Sequence, residues 1–129
     1  MLRLLPLCAL LLPSVGVAQS TWYVPDDFPS IQAGINGSAN GDTVIVRDGT
    51  YVENVNFNGK AITLASENGP LAAIIDGSRS GSVVVFNNGE GPATTLDGFM
   101  LRNGRANWGG GVHCDLSSPT LNNCMLVAN

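Results

Sequence analysis

The chain has 129 residues, of which six are Lys or Arg and ten are Asp or Glu, so its net charge at neutral pH is −4. Charged residues make up only 12% of the sequence, whereas Gly occurs 16 times, which predicts a largely neutral, polar surface with many turns. The basic residues beyond position 18 are scattered along the chain: Arg47, Lys60, Arg79, Arg102 and Arg105. This scatter argues against a basic patch for nucleic acid or an acidic membrane surface.

The first eighteen residues have the three parts of a secretory signal. Arg3 supplies the positive charge, residues 4–12 form an apolar run, and residues 16–18 form a small-residue cleavage site. The apolar run is too short to span a hydrocarbon core of about 30 Å, which disfavours a membrane anchor. We therefore predict cleavage after Ala18, a secreted or cell-surface location, and a single mature domain over residues 19–129.

Residues 19–42 are predicted to form a leading strand and a short helix. Ser30 is a good N-cap for a helix whose apolar face carries Ile31, Ala33 and Ile35. A stack of parallel coils exposes an apolar end with open backbone groups. We therefore expect this helix to act as a lid over the first coil.

From residue 43 to residue 129, short β-branched runs recur about every twenty residues with Gly or Asn turns between them, which is typical of a parallel β-solenoid. We divide the run into four rungs, at residues 43–60, 61–81, 82–110 and 111–129. The third rung is overlong. Its excess is predicted to form loops around residues 88–92 and 103–108, and such insertions tend to carry binding.

The expected strands are short, as the sides of a coil should be. They are Thr43–Arg47, Val55–Phe57, Ile62–Ser66, Ala73–Asp76, Ser82–Asn87, Thr94–Asp97, Phe99–Arg102, Val112–Cys114 and Thr120–Val127. Asn-Gly and Asp-Gly pairs separate many of them, and these pairs are also hairpin signals. An antiparallel sandwich is therefore the competing fold, although its strands would be too short to pair well.

Cys114 and Cys124 are the cysteines that remain after the predicted cleavage. Each alternates in phase with an apolar neighbour that is expected to face inward, so both could be buried thiols acting as small core residues. A disulfide between them is the alternative, and it requires the coil to bring their Cβ atoms together. A zinc site is disfavoured because His113 is the one further ligand nearby and structural zinc takes four.

Trp108 lies in a Gly-rich segment just before His113, the one histidine of the chain. If exposed, Trp108, Arg105 and His113 could form a sugar-binding platform, because an aromatic ring covers the apolar face of a pyranose and polar neighbours bind its hydroxyls. The alternative is that Trp108 packs in the core or anchors its loop. His113 should point away from the core, where it could act as a general base if it had a partner.

Taken together, several segments resemble the right-handed parallel β-helix superfamily of pectin-lyase-like proteins. The opening resembles that superfamily at residues 24–35, 41–46 and 49–53 and at Ile62-Thr-Leu, and residues 109–114 and 118–129 resemble the repeats of bacterial surface β-helix proteins. The resemblance implies an all-β, right-handed parallel β-helix with a short N-terminal capping helix. It leaves the function open, because the superfamily includes lyases, hydrolases, esterases, binding proteins and adhesins.

Pectin methylesterases are the most specific enzyme comparison, because residues 49–55 and 74–78 resemble their first coils. Those enzymes place a Gln and an acidic pair on the next coils, and residues 104–114 contain neither. A lyase would need an acidic cluster for calcium beside an Arg or Lys, and calcium is suggested by the resemblance alone. The weak catalytic candidates are Asp97, His113 and Asp115, with Asp76, Arg102 and Arg105 as further lyase candidates.

Asp76 and Asp97 are each followed by Gly, so the simpler interpretation of both is a turn residue. The expected function is a secreted or surface β-helix scaffold that binds polysaccharide or mediates adhesion. An enzyme whose catalytic coils lie beyond Asn129 and a purely structural stalk are the alternatives. We also expect that the last rung has no C-terminal cap. The favoured explanation is that the chain is the N-terminal part of a longer protein; the alternatives are end-to-end association through this rung and a short product of marginal stability.

Overall fold

A computed structural model describes residues 18–129, so the predicted signal, apart from Ala18, lies outside the described residues. One short helix, α1 (Ile31–Gly37), follows the first strand. The strands are β1 (Thr21–Val24), β2 (Thr43–Val46), β3 (Gly49–Val52), β4 (Val55–Asn56), β5 (Thr63–Ser66), β6 (Ala73–Asp76), β7 (Val84–Phe86), β8 (Thr95–Asp97), β9 (Met100–Arg102), β10 (Val112–Cys114), β11 (Thr120–Asn122) and β12 (Met125–Val127).

The strands form three sheets, and every pairing between them is parallel. The five-stranded sheet has the order β11-β8-β5-β2-β1, the four-stranded sheet β12-β9-β6-β3, and the three-stranded sheet β10-β7-β4. The chain visits the three sheets in the same sequence on each turn. The result is a β-solenoid of about four turns, which confirms the predicted fold class and excludes the antiparallel sandwich.

Stacking in register builds the core. In the five-stranded sheet, Val44, Leu64 and Leu96 lie on successive turns at one inward position, and all three are fully buried. Phe57 and Phe86 stack on the third side with ring centroids 4.7 Å apart. Because neighbouring parallel strands are about 4.8 Å apart, each inward side chain contacts its equivalents above and below. The core is therefore a set of apolar columns.

The boundaries between the observed turns differ from those of the predicted rungs. Strand β7 pairs with β4 of the first turn and β10 of the third, so it is the third side of the second turn and not the start of a new one. Residues 120–127, expected as one strand, are two strands, because Asn123 has a φ of 51° and turns the chain between them. Strand β3 was not expected, since Asp48-Gly49 was interpreted as a turn.

Helix α1 begins where the sequence predicts. The Ser30 side chain accepts a hydrogen bond from the Ala33 N–H at 3.1 Å, as an N-cap does. Ile31, Gly34 and Ile35 are buried, and the helix packs against β1, β2 and β4. It therefore covers the first turn.

Two charged side chains from the first turn hold the two ends of α1. The Glu53 carboxylate accepts hydrogen bonds from the backbone N–H groups of Ile31 and Gln32, at 2.9 and 3.0 Å. The Lys60 ammonium donates to the carbonyl oxygens of Ile35, Asn36 and Ser38, at 2.8, 2.7 and 2.6 Å. An anion thus lies at the helix N-terminus and a cation at its C-terminus, the arrangement that the helix dipole favours.

The last turn leaves four apolar side chains partly exposed: Leu121, Met125, Leu126 and Val127. Leu121 and Leu126 continue the inward columns of Leu96 and Leu101, which are fully buried one turn earlier. The expected end-to-end association through this turn stays a prediction. Within residues 18–129, no helix has the length and apolar character needed to cross a membrane.

We predict that Lys60→Met lowers the free energy of unfolding by about 1–3 kcal/mol, because three helix carbonyls lose a charged donor. The measurement is urea unfolding followed by circular dichroism. Arg79→Met is the matched control, since the exposed Arg79 side chain makes no hydrogen bond to any residue in the described range. Equal stability losses in the two variants would contradict the proposed role of Lys60.

Candidate functional site

The loop at residues 103–111 connects β9 to β10 and carries the predicted sugar-binding residues. The Trp108 side chain is 79% exposed, so the ring does not pack in the core. Arg105 is also exposed, while its backbone N–H donates to the Gly81 carbonyl at 2.8 Å and anchors the start of the loop. A large exposed aromatic ring on an anchored loop is a common feature of binding surfaces.

Gly109 directs this loop onto strand β10. Its φ is +60°, and a Cβ at this position would lie 2.9 Å from the Cα of His113, so the backbone approach requires glycine. Trp108, the preceding residue, therefore emerges beside β10. His113 is half-buried at an outward position of β10, in register with Val85 on the turn below. The structure thus brings the loop with Trp108 and Arg105 to the strand that carries His113.

Below His113 and Val85, the outer side of the three-stranded sheet carries several amide side chains. Asn56 follows Val85 in the same outward column, and its Nδ2 donates to the Asn87 Oδ1 at 3.3 Å. Asn88 donates to the same oxygen at 3.0 Å, and Gln32 accepts from the Asn56 N–H at 2.8 Å. The outer side of the three-stranded sheet therefore has neutral donors and acceptors on the two turns below the strand that carries His113.

The other predicted binding loop, residues 88–92, has a structural role at its centre. Glu90 is only 2% exposed, and its carboxylate accepts hydrogen bonds from the Gly59 N–H, the Asn88 N–H and the Ser117 hydroxyl at 2.8, 2.8 and 3.0 Å. Burial alone would raise the pKa of Glu90, but these hydrogen bonds lower it below its ordinary value. One carboxylate thus connects three turns.

The acidic candidates do not come together. Asp76 accepts hydrogen bonds from the Ser78 N–H, the Arg102 Nε and the Asn103 Nδ2, at 2.9, 3.0 and 2.9 Å. The Ser78 hydrogen bond is the main cause that lowers the pKa of Asp76, with burial opposing it and Arg102 and Asn103 adding to it. The bond to Ser78, two residues along the chain, is that of the predicted turn residue.

Asp97 ends β8 in the five-stranded sheet, whereas His113 and Asp115 lie on or just after β10 in the three-stranded sheet. The three weak catalytic candidates are therefore spread over two sides of the coil. Among residues 18–129, no group of three or more His, Cys, Asp or Glu side chains is placed to hold a metal ion.

Cys114 and Cys124 are free thiols in the structure. Cys114 continues the inward column of Phe86 but is exposed, and Cys124 packs partly against the core. Burial is the main cause that raises the pKa of both thiols. The two cysteines lie on different sides of the coil, Cys114 on β10 and Cys124 between β11 and β12.

A groove that the sequence did not predict lies at the corner between the five-stranded and four-stranded sheets. Its volume is about 470 Å³, and it is lined by Ala65, Ser66, Gly69, Pro70, Asp97, Gly98, Asn123, Cys124 and Met125. These residues come from three successive turns. The sequence feature that could have predicted this groove is the unequal length of the corners. The second turn has Asn68-Gly69-Pro70 at this corner, whereas the third turn has only Gly98 before Phe99.

Comparison with known proteins does not assign the chain to a family. No protein-family model matches the chain, and neither a curated protein nor a solved structure matches it. The β-solenoid fold is therefore assigned from the parallel strand pairing of the chain itself.

We predict that Glu90→Gln lowers the free energy of unfolding at pH 7 by about 1–3 kcal/mol, because buried N–H and O–H donors lose their charged acceptor. The folded-state pKa of Glu90 is lowered, so the carboxylate stabilises the fold above its unfolded-state pKa of about 4.3 and this contribution is lost as the pH falls through the folded-state pKa. The difference between wild type and variant should therefore shrink from pH 7 to pH 3 in urea unfolding.

Glu67→Gln is the control for this experiment. Glu67 is exposed and pairs with Arg47 at 2.7 Å, and such surface pairs contribute about 0–1 kcal/mol. A Glu90→Gln effect no larger than that of Glu67→Gln would contradict the structural role of Glu90.

Proposed function

We propose that this protein is an exported, pectin-lyase-like β-solenoid that binds polysaccharide at Trp108 and the adjoining outer side of the three-stranded sheet. The observation that supports this function is the exposure of the Trp108 ring, 79%, on a loop held against β10. Burying such a ring against a ligand removes a large apolar area from water.

The chemistry next to Trp108 fits a sugar chain. A pyranose ring has an apolar face, formed by its C–H groups, that can stack on the indole. Its equatorial hydroxyls then point sideways, where the exposed Arg105 guanidinium and the His113 imidazole can bind them. The amides of Asn56 and Asn87 extend the polar surface to earlier turns, so a chain of several sugars could lie along the solenoid axis.

Arg105 also favours sugars that carry a carboxylate. A guanidinium binds a carboxylate through two parallel hydrogen bonds, which a neutral hydroxyl cannot match. Uronate polymers are the substrates of many proteins that the sequence resembles, so polygalacturonate is the first probe and dextran its neutral counterpart. In this proposal the protein binds the polymer without cleaving it.

We predict that Trp108→Ala weakens binding to polygalacturonate at least about tenfold, because the loss of ring stacking removes about 1.4 kcal/mol or more. Affinity electrophoresis in gels containing the polymer measures the change. Leu71→Ala is the matched control, since Leu71 is 78% exposed and belongs to a different corner of the coil.

Three outcomes would change this proposal. Equal retardation of wild type and Trp108→Ala would remove the role of the ring. No retardation of the wild type by either polymer would favour a structural stalk. Release of unsaturated or shortened products from polygalacturonate would show an enzyme and overturn the proposal of binding without cleavage.

A further inference from the structure

The groove at the corner between the five-stranded and four-stranded sheets exists because one turn differs from its neighbours. In the first, third and fourth turns, this corner contains two residues, 47–48, 98–99 and 123–124, whereas in the second turn it contains residues 67–72. The longer corner projects as a wall with Gly69 and Pro70. The shorter corners of the next two turns form the rest of the groove.

Gly98 brings a hydroxyl into this groove. It has a φ of +85°, and a Cβ on Gly98 would overlap the hydroxyl oxygen of Ser66 on the turn below. The Ser66 Oγ accepts one hydrogen bond, from the Gly69 N–H at 3.0 Å, and keeps a second lone pair. Glycine at position 98 therefore allows this oxygen to line the groove.

The polar side chains of the groove are Ser66, Asp97 and Asn123. Asp97 is the one charged residue in its lining, and no Lys, Arg or His side chain lines it. Asp97 Oδ1 accepts from Asn123 Nδ2 at 3.2 Å, whereas Asp97 Oδ2 takes no hydrogen bond from residues 18–129. The amide oxygen of Asn123 is likewise without a donor in this range. An anionic ligand would meet an unbalanced carboxylate here, so charge complementarity favours a cation.

The remaining lining is apolar and lies beside these acceptors. Pro70 belongs to the wall, Ala65 lies on β5, and Met125 begins β12 with 40% of its surface exposed. An unbranched methionine side chain adapts its shape to a small aliphatic ligand. The groove thus combines a carboxylate, two neutral acceptor oxygens and a flexible apolar side.

We propose that this groove binds a primary ammonium group on a short aliphatic stem. The three N–H donors of the ammonium match the Asp97 carboxylate, the Asn123 amide oxygen and the Ser66 hydroxyl, and the stem contacts Pro70 and Met125. A lysine side chain of another protein and a free alkylamine share this chemistry. The site lies on a different corner from Trp108 and does not rest on the polysaccharide proposal.

The test uses the methyl resonance of Met125 in the full chain labelled with ¹³C-methyl methionine. The chain has three methionines, and Met100, on the strand next to Met125, does not line the groove. The probes are n-butylammonium, n-butanol as its neutral counterpart, and Nα-acetyl-lysine methylamide for a protein-derived lysine. We expect n-butylammonium to shift the Met125 resonance with saturation at about millimolar concentration, and n-butanol to leave it in place.

Two matched variants complete the experiment. Asp97→Asn keeps an oxygen for the Asn123 hydrogen bond but removes the charge, and it should weaken n-butylammonium binding at least about tenfold. Asp115→Asn removes an exposed carboxylate outside the groove and should bind as the wild type does. Tighter binding of the lysine derivative than of n-butylammonium would identify a protein partner, and the reverse a free amine.

The proposal is overturned if neither ammonium probe moves the Met125 resonance, or if n-butanol moves it as much as n-butylammonium does. It is also overturned if Asp97→Asn, shown to be folded by its unchanged remaining spectrum, binds n-butylammonium as tightly as the wild type. Loss of polygalacturonate binding in Trp108→Ala would leave these results unaffected.

Discussion

The structure depends on the register of its parallel strands, in which each residue lies directly above its equivalent on the turn below. The inward column Val44, Leu64, Leu96 and Leu121 is one result. Inserting one residue within a strand would send the following side chains to the opposite face and remove apolar groups from a column. Changes in length are therefore confined to the corners, where the backbone leaves one sheet and enters the next.

The three corners of the coil differ in which turn is lengthened and in what the added residues do. Between the four-stranded and three-stranded sheets, the third turn extends to residues 103–111 and exposes Trp108. Between the five-stranded and four-stranded sheets, the second turn extends to residues 67–72 and forms one wall of the groove. At the remaining corner the second turn also lengthens, yet Glu90 folds inward and ties three turns together. A long corner can thus form a surface for a ligand or stabilise the stack.

Much of the fold could be predicted from local patterns, because a solenoid is built from contacts between neighbouring turns. Ser30 starts the helix as its N-cap chemistry predicts, and short β-branched runs identify β2 and β6. Strand β3 was missed because Asp48-Gly49 has the composition of a turn, and pairing with β6 overrides that preference. The division into turns was wrong because the corner lengths vary and periodicity alone does not show which side of the coil a strand occupies.

The site was less predictable than the fold. The sequence singled out Trp108, Arg105 and His113, since an aromatic residue in a Gly-rich loop is a visible pattern. The burial of Glu90 was not visible, because its partners Gly59 and Ser117 are 31 and 27 residues away. The groove was equally hidden, since it arises from the difference between corners and not from a motif.

Helix α1 depends on hydrogen bonds with Glu53 and Lys60, which are made later than the helix during synthesis of the chain. The helix has seven residues, too few to be stable alone in water, and the two side chains that bind its ends come 21 to 25 residues later in the chain. Synthesis from the N-terminus therefore releases the helix segment before the two side chains that bind its ends. Both ends of the helix are bound only after Lys60 has been made, so helix α1 and the first turn are expected to become stable together.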